Sequence, residues 1–348
     1  MKNRHANWHG AARHLSGWWT AWPQHAAGFV KSIRRLINDP PDYLTDLGQL
    51  RRQLRLDEFE IHAPTAIVAA IIYGGWLLIT AMHGVLPWFI LIPAGAILVA
   101  WHSSLQHEAV HGLIAQPRWL NDALAWLPLS LWLPFRRYKQ THLIHHNLAH
   151  LTDPRRDPES YYIDPKTWES LPPWRQKMLI WHNTFIGRML IGPWLMIGQF
   201  LHAEAEHWRE PGQQRLWLIH LLGCLIVIGW LWLWGFNIIS YILCFVIPAT
   251  SLGLVRSFAE HKARETPEER TAVIEEKGFW ALLFLNNNLH FAHHKRPQLR
   301  WTELPDYYAR HKRALLEENG GLIYIGYGEV IQRYWRQPVD QVAHPHMT

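Results

Sequence analysis

Histidine recurs in this chain at spacings that bring imidazole rings together. HEAVH sets His107 and His111 four residues apart, HLIHH carries His142, His145 and His146, HFAHH repeats that pattern at His290, His293 and His294, and RSFAEH ends on His261. On a helix, spacings of three and four share a face, so each box would present its rings together. Imidazole is the commonest metal-binding side chain near neutral pH. With 24 His in 348 residues, one HxxHH box arises by chance about 0.1 times per chain, so two of them point to selection for a site. A structural zinc takes four ligands and a catalytic zinc three. Nine imidazoles therefore suit two ions. Zn, Cu, Fe and Ni all accept imidazole, and ligand type alone does not choose among them.

The elements that must position these rings are apolar. Charged residues make up 18% of the chain, against roughly 25% in an ordinary soluble domain. Four uncharged stretches run from Pro64 to Met82, Leu86 to Trp101, Leu216 to Phe236 and Ile238 to Val255, each close to the ~20 residues that cross a bilayer as a helix. The expected fold is an all-α membrane protein with four transmembrane helices in two hairpins and a helical cytoplasmic cap carrying the histidine boxes. Trp119 to Phe135 and Thr184 to Phe200 are also apolar but broken by Asn121, Asp122, Pro128 and Pro134, or by Arg188 and Pro193. They read as interfacial or re-entrant helices. All 34 basic residues fall outside the four spans, and the positive-inside rule then places both termini and the segment between the hairpins in the cytoplasm. Trp76, Trp88, Trp101, Trp217, Trp230, Trp232 and Trp234 fit interface belts. The two cysteines, Cys224 and Cys244, lie in apolar runs and exclude a disulfide framework or a four-Cys site.

Three segments result: 1–60, basic and cytoplasmic, with AGFVKSIRRLI as a candidate amphipathic surface helix; 61–310, the membrane-embedded catalytic domain; and 311–348, a cytoplasmic C-terminal segment. Every histidine group sits where a span meets the cytoplasm or in a cytoplasmic segment. A redox-capable metal pair at the bilayer edge has a long hydrocarbon as its natural substrate, which points to iron and oxygen chemistry on lipid.

HEAVHG, HLIHHN and NNNLHFAHHKRP, with RSFAEHK between the last two, resemble the three histidine boxes and the span-end histidine of the integral-membrane fatty acid desaturases and their hydroxylase and ketolase relatives. The likeness covers about residues 64 to 310. It implies a non-haem di-iron centre on His107, His111, His142, His145, His146, His261, His290, His293 and His294, with O2 as co-substrate and a fatty acyl chain losing two adjacent hydrogens. It also implies a bacterial inner-membrane enzyme with a cytoplasmic site. One departure is Ser257, where some relatives have an Asn that serves one iron through a water. Asn286, Asn287 and Asn288 could supply polar support or form a loop. Because no GxGxxG, ferredoxin Cys pattern or HPGG haem module is present, electrons must come from a separate ferredoxin or cytochrome with its reductase. Nucleic acid is not an expected partner, since basic residues track the spans.

Competing readings attach to the same residues. HEAVH also matches HExxH, in which Glu108 would be the general base of an intramembrane zinc protease, but that leaves both HxxHH boxes unexplained. A metal carrier would place its site near the bilayer midplane, away from these histidines. Within the desaturase reading Glu108 supports a ligand or faces the helix surface. Asp153, Asp157 and Glu159 could orient ligating rings, although Asp-Pro turn chemistry is favoured. Arg136, Arg137 and Lys139 could hold a phosphate of acyl-CoA, acyl carrier protein or phospholipid or simply anchor the topology. Of the fifteen histidines outside these groups, His5, His9, His14, His25, His62, His83, His102, His150, His182, His202, His207 and His220 are assigned no metal, with His102 and His150 nearest in sequence, and His311, His344 and His346 lie in the C-terminal segment.

Overall fold

A computed structural model of the chain describes residues 60–347; the candidate amphipathic helix at 27–37, and His5, His9, His14 and His25, lie outside the described residues. The described part is mostly helical. Strand β1 (Glu60–Ile61) leads into α1 (Ala63–Ala81), and a short turn joins it to α2 (Trp88–Val110). Strand β2 (Ala115–Gln116) pairs antiparallel with β1, and α3 (Arg118–Ala125) and α4 (Phe135–His145) follow. Next come α5 (Pro165–Ser170), α6 (Pro173–His182), α7 (Phe185–Glu206), α8 (Gln213–Leu233) and α9 (Ile238–Ser257). Beyond them lie β3 (Val273–Ile274), α10 (Phe279–Leu283), α11 (His290–Lys295), α12 (Leu304–Glu318), β4 (Ile323–Tyr324) and α13 (Tyr327–Tyr334). β3 and β4 run parallel as a two-stranded sheet, and no sheet closes among the described residues.

Helices α1, α2, α8 and α9 are long and apolar enough to cross a membrane. Their outer faces carry Ile67, Leu78, Leu225, Ile226 and Trp232, the last 81% exposed. Such a surface is costly in water and matched by lipid tails. Helix α2 is flanked by the inner faces of α1 and α9. Gly95 of α2 is required by that contact, because a Cβ there would lie 2.4 Å from the Phe245 ring. Phe245 belongs to a single π turn, Ile242–Val246, inside α9.

Two boundaries differ from the sequence expectation for a physical reason. Helix α2 continues nine residues past Trp101 because His102 to Val110 are helix-compatible and mostly buried by protein. The hydropathy window marks where lipid ends, and the helix has no cause to end there. The stretch from Trp119 to Phe135 is not one helix: α3 stops at Ala125, and Pro128 and Pro134 force the preceding residues out of the helical region before α4 starts. By contrast α7 runs unbroken for 22 residues through Pro193, with Arg188 buried within it, and packs along α9.

Candidate metal centre

Each box lies at a helix end. His107 is on the last turn of α2 and His111 caps it; His142 and His145 are on the last turn of α4 and His146 caps that helix. Helix α11 carries His290, His293 and His294. It is preceded by a tight turn in which Leu285 and Asn286 take positive φ values of 48° and 57°, and Asn286 secures the turn by donating to Trp301 O at 2.8 Å. His261 follows α9 and bridges to Thr271.

All nine imidazoles converge, in two groups. His107, His111, His142, His146 and His293 form one; His145, His261, His290 and His294 form the other, and within each group the candidate donor atoms lie within 4.8 Å of one another. The boxes are therefore not units. Residues four apart differ by only about 40° around a helix, so His107 with His111, His142 with His146, and His290 with His294 stay together. The residue three along points the other way round the axis, and His145 and His293 each cross to the opposite group.

Hydrogen bonds on the outer nitrogens fix the tautomers. His145 Nδ1 donates to Asp157 Oδ1 at 2.9 Å and His142 Nδ1 to Glu159 Oε1 at 3.0 Å. His290 Nδ1 donates to Asn287 Oδ1 at 3.1 Å, and His261 Nδ1 to Arg270 O at 3.3 Å. The Nε2 atoms of His290 and His261, both with Nδ1 bonded to an acceptor, nevertheless face each other at 3.0 Å; those of His142 and His146 lie equally close, with only the His142 Nδ1 proton so committed. With its Nδ1 proton committed, a neutral ring has only a lone pair at Nε2, and two lone pairs at that distance repel. A cation between them removes the conflict. Imidazole nitrogens bound at about 2.1 Å and at right angles to one ion sit about 3 Å apart, so the donor set fits a metal. Three further buried ring nitrogens, His111 Nε2, His146 Nδ1 and His294 Nδ1, have no hydrogen-bond partner.

The electrostatics keep most of these rings neutral, the form that ligates. Burial pushes His111 down to about 3, and burial followed by the neighbouring rings lowers His146, His290, His293 and His294 as well. His261 and His142 are lowered too, by burial first. His145 is the exception: burial pulls it down, but Asp157 and Glu159 outweigh burial and raise it to about 9. The Glu159 carboxyl is held below the usual carboxylate range, since His142 and His145 overcome the opposing effect of burial.

Around this core several sequence readings change. Asp157 and Glu159 orient imidazoles as well as shaping turns, whereas Asp153 caps its loop by accepting from Arg155 N at 2.8 Å. Glu108 is not on a helix surface: it is buried and accepts from Trp301 N at 3.2 Å. Of the three asparagines only Asn287 reaches the site, with Nδ2 at 3.3 Å from His107 Nε2; Asn288 ties to Ile274 O at 2.7 Å. Arg137 pairs with Glu204 at 2.7 Å and Lys139 with Asp122 at 2.7 Å, leaving Arg136 as the exposed cation of that trio. His102 bonds Tyr73 OH at 3.1 Å, and His150 lies near Arg156; neither joins a group. Ser257 Oγ meets Tyr161 OH at 2.9 Å. Sequence reasoning overlooked Tyr161 and also Glu260, whose Oε1 lies 3.3 Å from Arg256 and 3.6 Å from His290 Nδ1; its place beside His261 was the available signal.

A cavity of about 1000 Å³ touches both groups, at His107, His145 and His261, and extends between helices past Leu195, Ala249 and Gly253. Thr152, beside the carboxylate loop, is a β-branched residue held at φ 68°. That conformation costs about 1–3 kcal/mol and persists only where surrounding contacts impose it.

A family model for fatty acid desaturase matches residues 87–326, and the chain belongs to that family. The family is di-iron, its name marks an oxidoreductase, and it implies a fatty acyl lipid substrate. Together with the four apolar helices it marks a membrane protein. No curated protein matches the chain significantly.

Proposed function

We propose that this chain is an O2-dependent di-iron desaturase that introduces a double bond into a fatty acyl chain. The observation that carries the reading is the convergence of nine imidazoles, six of them buried and three half-buried, into groups of five and four, with the lone pairs of His290 and His261 facing each other. In this reading His107, His111, His142, His146 and His293 hold one iron, and His145, His261, His290 and His294 hold the other. Two irons bound there supply the oxygen activation needed to take hydrogen from an unactivated CH2. The balance is one O2, two electrons, two protons and a CH2–CH2 unit, giving CH=CH and two waters.

The protein's own residues do the rest. Asp157, Glu159 and Asn287 hold ring planes and tautomers so that each lone pair faces inward. The cavity orients the acyl chain beside His107 and His261, with apolar contacts at Leu195 and Ala249. The spans form two hairpins, with the elements bearing the histidines on the cytoplasmic side, because the basic residues lie there. Electrons arrive from an external ferredoxin or cytochrome.

The test is expression in a host of known lipid composition, with its fatty acids compared by mass spectrometry. A new double bond is expected, lost in His145→Ala and His293→Ala. A hydroxylated or keto product would instead assign the chain to those relatives, and an unchanged lipid profile from fully iron-loaded protein with a working donor would overturn the reading.

A further inference from the structure

Beyond α13 the chain turns back across the carboxylate loop. Pro338 bridges to Thr184 and Ala343 to Ile163; Ile163 N donates to Val342 O and His344 N to Ile163 O, at 2.9 Å each. Val342 is buried against Leu171 and Leu179, and Tyr162 OH donates to Asp340 Oδ2 at 2.5 Å. This strap lies wholly past the residues that the desaturase family matches.

The strap's His344 is buried. Its Nδ1 accepts from His346 N at 3.3 Å, so the ring proton sits on Nε2 and is donated to Thr152 Oγ1 at 3.1 Å. Thr152 N donates to Asp157 Oδ2 at 2.9 Å, while its carbonyl accepts from Ser160 Oγ at 2.7 Å. The other oxygen of Asp157 takes the Nδ1 proton of His145 at 2.9 Å. A continuous series of contacts thus joins the strap to one imidazole of the four-histidine group. The five-histidine group meets the same loop through Glu159 and His142 instead.

We propose that His344 is a positioning residue for His145. It fixes Thr152 in its left-handed conformation, Thr152 fixes the Asp157 carboxylate, and that carboxylate sets the ring plane of His145 and leaves its Nε2 free for a metal. The inference rests on the metal reading above. It predicts that the two ions are held unequally when the strap contact is cut.

The experiment uses the full chain in nanodiscs, loaded with ferrous iron, with iron counted per chain and its release to an Fe(II) chelator followed over time. Wild type is expected to hold two irons. In His344→Ala one release phase should quicken about tenfold, the scale of a supporting-residue loss, while the other phase stays unchanged. His344→Gln, which keeps a donor at that place, should restore the slow phase. Wild-type release kinetics in His344→Ala would overturn the proposal. So would equal quickening of both phases with a lowered Tm that His344→Gln does not repair, which would mark general loosening. A wild-type chain that takes up no iron would refute the metal reading itself, a result visible before any variant is made.

Discussion

At the residue scale the site is governed by which nitrogen of each ring carries a proton. Asp157 and Glu159 do double duty: Asp157 closes turns with its backbone and Glu159 donates its backbone N to Asp157 Oδ1, while both carboxylates claim Nδ1 protons. Replacing Asp157 with Ala should therefore weaken metal binding by about 10–100-fold, measured by competition with a calibrated chelator; unchanged affinity would show that the carboxylate only shapes the loop. A second residue gives a pH signature away from the histidine groups. Burial, and then the Arg188 cation, push His182 down to about 2. Unfolded chain binds a proton there near 6.5 and folded chain does not, so stability is whole above 6.5 and drains as pH falls toward 2. Tm should drop between about pH 7 and about pH 5, and the drop should be shallower in His182→Gln. Parallel slopes in the two proteins would remove His182 from this account.

At the element scale, helix periodicity decides how the boxes divide. The i,i+4 pairs hold together and the i+3 member crosses over, so α4 and α11 each feed both groups. The same scale governs the approach of α2 to α9. A methyl at Gly95 collides with Phe245, and Gly95→Ala should cost about 1–3 kcal/mol by overpacking. Thermal or denaturant unfolding in detergent checks this. Because the two side chains share one contact, Phe245→Ala in the Gly95→Ala background should cost less than it does alone; strict additivity would mean that the helices adjust elsewhere.

At the scale of the whole molecule, the balance between lipid-facing and protein-facing surface sets the topology. The turn between α1 and α2 exposes Val85 (76%) with no basic residue near it in sequence, whereas Arg296 is exposed just past α11. With both native cysteines replaced by Ala, Val85→Cys should react with an impermeant thiol reagent added outside the cell, and Arg296→Cys only after lysis. The opposite pattern would invert the orientation. Trp88 and Trp232, both strongly exposed on spanning helices, should be quenched by lipids brominated near the headgroup, as belt residues are.

Sequence alone determined the four apolar spans and the nine candidate ligands, because both are written in strong local code: composition over about 20 residues, and repeats of three and four. Even there it fixed the residues and not their partition, since α4 and α11 each point imidazoles in two directions and only their packing says which ring meets which. Tertiary structure also decided what the polar neighbours do. Asp157 reads chiefly as turn chemistry until the loop folds over His145, Glu108 as either a supporting or a surface residue until Trp301 covers it, and the strap at His344 as a tail until Thr152 is seen beneath it. Those contacts join positions 12, 193 and 192 residues apart. Hydrogen bonding across such separations has no periodic trace in the chain, because the partner is chosen by the shape of the fold.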